Sequence, residues 1–412
     1  MHALKISLLL VPMVVVIAGC SGLNTPTQPT QPQQASQGPE FLYVGTSNPG
    51  LLTYEIRPDG ALQPKPTSPN ATAVCSPTLE PVPGRVYVIS LSCTELTGPL
   101  EFRRFDLDSA GNIASATGLL SLGPDFPSVT DTVMSFVPDA SGKFAYTWSV
   151  DNDLVEHISL LQIGAAGELT VRPGMGLSWP VEVSAFCGET HNASSIVTTQ
   201  EGTFLIVQDL RSCRDIDPTV NYPVYQVDSQ TGAIGNKVGE AAIGDITSPT
   251  PFTTQNGALM IFGELPMTGE NGDLRLFHIG LDGVTLLQQC HADQPACAHP
   301  QSGMFHPSGK WVFIVDHATG GIWTIPVTGN SLSADKASFL PLHLEASFQF
   351  AFSADGRSFY MGQWNDPIQT GEIRGFRVND STGVLTPIAG SPWPLGKLDW
   401  ITAMTPIAGT GQ

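Results

Sequence analysis

The chain has 412 residues, a formal net charge of -19 and only 13% charged residues, with 42 glycines and 34 prolines. An acidic, lightly charged surface of this kind excludes nucleic acid as an expected partner, because that binding rests on neutralised phosphates, and it disfavours adhesion to anionic lipid headgroups. Residues 41–412 are long for one core unless the domain is built from repeats.

In chain order, Lys5 is followed by an apolar run from Ile6 to Ala18 that contains Pro12 and ends on the small pair Ala18-Gly19. The run is shorter than the roughly 20 apolar residues needed to span a bilayer core. A charged start, an apolar middle and a small-residue end mark residues 1–19 as a secretory signal. Its last four residues, Ile17-Ala18-Gly19-Cys20, resemble the lipobox of bacterial lipoproteins. The resemblance implies that Cys20 is acylated and becomes the new N-terminus. Its thiolate is the nucleophile such a modification needs, and two or more acyl chains anchor durably where one is marginal. The membrane is then a partner through Cys20. Ser21 in place of Asp implies the outer rather than the inner membrane. Residues 20–40 follow as a tether, SGLNTPTQPTQPQQASQGPE after the cysteine, without aromatics and with a single Leu. Such a segment cannot bury enough apolar surface to offset its ordering entropy.

Six further cysteines remain, an even number, which in an exported chain points to disulfides. Sequence alone allows fifteen pairings for six cysteines. The economical one joins neighbours, Cys75 with Cys93, Cys187 with Cys213 and Cys290 with Cys297, each closing a loop within one repeat or its hairpin.

From Phe41 onward one phrase recurs: a strand, a Gly turn, and a second strand rich in Val, Ile, Tyr or Phe. The second strand reads FLYVGT from Phe41, RVYVIS from Arg85, KFAYTW from Lys143, TFLIVQ from Thr203, ALMIFG from Ala258, KWVFIV from Lys310 and RSFYMG from Arg357. Turns such as PDASGK, TTQEGT and SADGRS place Gly where φ must be positive. Seven copies at a period of roughly 50, with short strands and no long helical pattern, predict an all-β, seven-bladed β-propeller over residues 41–412. A sandwich would not repeat this phrase, and the coils of a β-helix are shorter. The first copy starts at its second strand, and WITAMTPIAG from Trp400 resembles the missing first one. The C-terminal strand should therefore close the ring on blade one, removing open sheet edges.

The stretch GEIRGFRVNDSTGVLTPIAGSPWPLG from Gly371, with fainter copies from Leu52 and Tyr225, resembles the lactonase-type propellers, relatives of 6-phosphogluconolactonase and of YVTN-repeat surface proteins. That family carries a His-Pro-His before one innermost strand and, a blade later, an Arg-His and an Asn-Glu pair. Here AHPQSGMFHPSGKWVFIVDH, from Ala298, has His299 at the first position and Gln301 at the second, with Asp316 where the family often has Asp. In the next blade the paired positions read Phe348-Gln349 and Gln363-Trp364. The resemblance implies a lactone hydrolase on a sugar or small lactone; in such an enzyme His299 would be the general base and Asp316 would orient it, while Arg211, placed after its second strand near the mouth, would steady an oxyanion. The replaced pairs point instead to a binding module for a sugar-like molecule or for envelope proteins.

Propeller ligands sit at the channel mouth. His191, Glu264, His317, Trp148 and Trp364 are the further binding candidates there: indole faces for stacking, carboxylate and imidazole for hydroxyls. Cys290-His291-Ala292-Asp293 and Cys297-Ala298-His299 have zinc-like spacing, but in an oxidising envelope a disulfide is the expected use of these cysteines. No metal or other cofactor is expected, and the ring is expected to be a monomer.

Overall fold

The computed structural model describes residues 39–408, apart from 48–49, 67–74, 92–100, 118–119, 121, 123–125, 127–134, 152, 154, 181–186, 214–215, 246–251, 254–258, 265–271, 292, 317, 343–348, 366–369 and 398–400. Cys20 and the tether thus lie outside the described residues.

The described strands form seven antiparallel sheets. Within all but the first, chain order runs from an innermost strand outward. Blade six is representative: Pro300–Phe305, Trp311–Asp316 and Gly321–Thr328, with Ser331–Leu332 and Ser338–Pro341 pairing the third strand. The second strands lie between neighbouring blades, so both faces are covered and the usual polar alternation disappears. Residues Phe41 to Thr46 are all buried, as are Ser358 to Trp364. These are the segments that the sequence writes in β-branched and aromatic residues, which fit a pleated surface.

Seven apolar clusters hold the described ring, each drawn from two adjacent blades. Blades one and two share Phe41, Tyr43, Val86 and Phe105, while blades six and seven share Met304, Phe313, Phe352 and Phe359. Each fully buried large side chain contributes about 1.5–3 kcal/mol, so the blades stabilise one another through these faces rather than singly.

The ring closes as the sequence predicts. Ile401–Ala408 is the innermost strand of blade one and pairs with Glu40–Thr46, from Glu40 opposite Ala408 to Gly45 opposite Ala403, with a bulge before Thr46. Behind this seam Leu42, Val44 and Ile401 pack on Ala351, Tyr360 and Ile373 of blade seven.

A polar latch repeats over the apolar faces. Tyr43, Tyr87, Tyr146 and Tyr360 each donate a hydroxyl proton to a glycine carbonyl of the following blade: Gly111, Gly167, Gly232 and Gly60, at 2.7–2.8 Å. The last of these crosses the seam. Gly111 and Gly232 have φ of 70° and 75°, and a Cβ there would collide with Phe41 and Phe144 respectively. Only glycine meets both demands. Blade six has Phe313 at the tyrosine position, and His306 replaces the latch: its Nε2–H donates to Gly356 O at 2.9 Å, while Nδ1 faces the Ser308 hydroxyl at 2.7 Å. Burial holds this imidazole below its ordinary pKa.

Cys290 and Cys297 form a disulfide with a Cα separation of 5.9 Å. It does not close a loop within one repeat, as expected above. Cys290 ends the outer strand of blade five, Gly283–Cys290, and Cys297 lies in the 3-10 turn Pro295–Cys297 that leads into blade six. The bridge staples the link between two blades. Cys187 and Cys213 face each other across the first two strands of blade four, Cys187–Thr198 and Thr203–Cys213. Cys75 begins the innermost strand of blade two, and Cys93 lies outside the described residues.

Two predictions test the seam. Deleting residues after Lys397 removes the strand paired with Glu40–Thr46, and the thermal transition should lose its cooperativity in calorimetry, not merely shift. Tyr360→Phe, which removes only the latch hydroxyl, should cost about 1 kcal/mol in denaturant unfolding. A third concerns Glu40, whose Oε1 accepts from the Ala354 N–H at 2.5 Å. Burial raises its pKa to about 7; the Ala354 bond opposes this and the Asp355 charge adds to it. Since the folded value exceeds the unfolded one, the stabilisation is complete below about pH 4.5 and is lost as pH rises to about 7. The difference in unfolding free energy between wild type and Glu40→Gln should therefore fall by on the order of 2 kcal/mol across that window.

Candidate functional site

Antiparallel order puts the short glycine turns, between strands one and two and between strands three and four, on one face of the ring. The links from strand two to three, and from each outer strand to the next blade, lie on the other. The ends of the second strands and the starts of the innermost strands therefore surround the mouth of the channel on that second face.

In blade six Asp316 is the last residue of the second strand, directly opposite Pro300, so His299 lies one residue beyond its partner. Asp316 is 2% exposed. Its Oδ1 accepts from the Thr319 N–H at 2.8 Å and its Oδ2 from the Trp323 indole N–H at 2.9 Å. Both oxygens bond within their own hairpin, and among the described residues Asp316 makes no bond to His299, contrary to the expected orienting role. His299 is half-buried just after the disulfide-stapled turn.

Blade seven carries a denser network that the sequence reading did not pick out. Gln363, in Ser358–Asn365, stands directly opposite Glu372, in Thr370–Val378. Glu372 is 2% exposed. Its Oε1 accepts from Gln363 Nε2 at 2.6 Å and from Arg374 Nε at 2.8 Å, and its Oε2 from Asn365 Nδ2 at 2.9 Å. Arg374 Nη1 also donates to Leu342 O at 3.1 Å. Charge-assisted bonds of this kind are what make a buried carboxylate tolerable. The sequence holds a signal for it: Glu372 and Arg374 are two apart, hence on one face of a strand.

Other candidates fall elsewhere. Trp148 lies within Phe144–Val150, and Arg211 and His191 lie within the two longer strands of blade four, rather than on loops. Trp148 is opposite Ile158, a member of the core between blades three and four. Asp209 and Arg211 alternate with Val207 of that same core, and the register sets them opposite His191 and Glu189. The indole nitrogen of Trp148 is buried and has no hydrogen-bond partner among the described residues. Glu264 ends the second strand of blade five, opposite Asp273. Trp364 is buried and alternates with Tyr360, on the blade-one side of blade seven. His317 lies outside the described residues. The backbone thus places the candidates in two separate groups: Trp148, His191 and Arg211 on strands of blades three and four, and His299 and the Glu372 network on blades six and seven.

Of the zinc-like cluster, Cys290 and Cys297 are joined to each other, and His291 Nδ1 is 3.3 Å from Asp273 Oδ1, whose other oxygen accepts from Gln289 Nε2 at 2.6 Å.

The Glu372 network gives a stability prediction. Arg374→Ala leaves a buried carboxylate without its cation and should destabilise the protein by about 3 kcal/mol in urea unfolding. Arg374→Lys should recover only part, since an ammonium lacks the planar fork.

No protein-family model and no curated protein sequence matches the chain. Solved structures do. A candidate 6-phosphogluconolactonase of Bacteroides fragilis is 14% identical, covering 90% of this chain and 98% of its own, with a TM-score of 0.60. A second candidate 6-phosphogluconolactonase, from Bacteroides uniformis, is 14% identical over 90% of this chain and all 100% of its own, again at 0.60. The periplasmic gluconolactonase of Pseudomonas aeruginosa is 16% identical over the same shares, 90% and 100%, also at 0.60. At these identities what is shared is the fold, and this chain is an all-β propeller of the shape those proteins have.

Proposed function

We propose that this propeller is an exported, lipid-anchored envelope protein whose channel mouth binds a polar, sugar-like small molecule without hydrolysing it. The observation that carries this reading is the state of the two buried carboxylates of blades six and seven. Asp316 accepts from Thr319 and Trp323, and Glu372 from Gln363, Asn365 and Arg374. A general acid or base must reach the proton that it transfers. Carboxylates bonded within their own blades hold the walls in place instead. Amide groups at the family's paired positions suit hydroxyl recognition, and the Trp148 indole offers a donor and an apolar face. Export is supported by the signal-like N-terminus, by Cys20 in its lipobox-like setting, and by the disulfide between Cys290 and Cys297.

Lactone hydrolysis is the second reading. It is favoured by the likeness to the Pseudomonas aeruginosa gluconolactonase and by His299 at a matching position. His299 would then act as base without Asp316, and Arg211 would steady the oxyanion from across the mouth.

A pH-stat assay of the full chain on sugar and small lactones, beside His299→Ala, separates the two. The binding reading expects no turnover above the uncatalysed rate, together with a ligand-induced rise in melting temperature. Turnover abolished by His299→Ala would overturn it in favour of the hydrolase.

A further inference from the structure

Among the described residues, buried hydrogen-bonding atoms without a partner in the cleft between blades six and seven include Ser302 Oγ and Gln363 Oε1. Gln363 itself is only 3% exposed. The two belong to one cleft. Ser302 is the direct strand partner of Val315, and Gln363 alternates with Met361 along its strand. Val315 and Met361 both belong to the apolar core between these blades, with Met304 and Phe350. Direct partners and residues two apart share a face. Ser302 and Gln363 therefore lie above that core on facing walls, toward the mouth. Gln301, next to Ser302 at the register shift of the innermost strand, also has a buried amide oxygen without a partner.

The polarity of the niche is fixed from behind. Gln363 Nε2 is held by Glu372, which in turn is held by Arg374 and Asn365, so the Gln363 amide can turn only its oxygen to the cleft. A flip would set its carbonyl against the Glu372 carboxylate. The wall therefore offers an acceptor with a carboxylate close behind it, beside a serine hydroxyl that can donate or accept. Such a wall is satisfied by O–H donors. Phosphate and carboxylate oxygens are acceptors only, and they would meet Gln363 Oε1 unfavourably.

The geometry points to a hydroxyl-recognition niche between blades six and seven, formed by Ser302 and Gln363, that selects an uncharged polyol or sugar over its phosphorylated or carboxylate counterpart. This rests on the proposed binding function and names its ligand class.

The test is calorimetric titration of the full chain with glucose, glucitol and glucono-1,5-lactone, and with glucose 6-phosphate and gluconate. The neutral ligands should bind at least tenfold more tightly than the charged ones. Ser302→Ala, which leaves the Glu372 network intact, should weaken neutral binding about five- to tenfold, and Gln363→Leu by more. Should Gln363→Leu fail to fold, the serine variant alone decides. Tighter binding of the charged ligands, or neutral binding unchanged in Ser302→Ala, would overturn the niche while leaving the binding function standing. No binding of any of the five by folded wild type would overturn both.

Discussion

The structure depends on the pairing of Ile401–Ala408 with Glu40–Thr46. A propeller blade has two apolar faces and no core of its own, so each sheet is stable only against its neighbours. Seven such faces form a closed set only when the first blade is complete, and the first blade takes its innermost strand from the far end of the chain. The Leu42, Tyr360 and Ile401 cluster and the Tyr360–Gly60 latch give the seam the same contacts as the junctions latched by Tyr43, Tyr87 and Tyr146. The ring has no weak join by design of its residues, only a topological one.

The latch shows how one interaction can serve shape and precision together. A tyrosine at the third position of a second strand supplies ring surface to the inter-blade core and a hydroxyl to a glycine carbonyl beyond it. The carbonyl is reachable because the glycine sits at positive φ with no side chain in the way. Where Phe313 removes the hydroxyl, His306 restores the same kind of bond from the turn after the innermost strand, and burial holds its pKa below the ordinary value. At this junction the bond is kept although the residue is not, whereas the second strands of blades four and five, TFLIVQ and ALMIFG, have no tyrosine at the matching position.

The same economy governs the mouth. Positions that could have carried a free acid or base carry carboxylates bound within their own sheets. The Glu372 network sets the direction of one amide, and that direction gives the niche its preference for donors. Second-strand hydrogen bonding thus decides first-contact chemistry, as supporting shells commonly do in binding sites.

How much of this could be read from residues alone varies with range. Periodicity and turn chemistry are local, so the all-β repeat architecture, the second strands and the closing strand from Trp400 were all legible. The pairing of Cys290 with Cys297 was legible too, but not that it bridges two blades, because the sequence marks strand centres better than the point where one blade ends. His299, Asp316, Arg211 and Trp148 could be named as polar residues near strand ends. Which of them share a cleft was beyond the sequence, since that depends on strand lengths and on parity across bulges. Trp148 and Arg211 lie inside strands that run longer than expected, and Asp316 turned out to hold its own hairpin. The Glu372 network needed the register of Ser358–Asn365 against Thr370–Val378. The sequence by itself determined the repeat, the closure and the acidic surface, because each is written in short-range pattern or in composition. Only the tertiary structure decided which carboxylates are satisfied and which polar atoms are left facing the cleft, because hydrogen-bond partners come from strands and blades that the chain brings together only on folding.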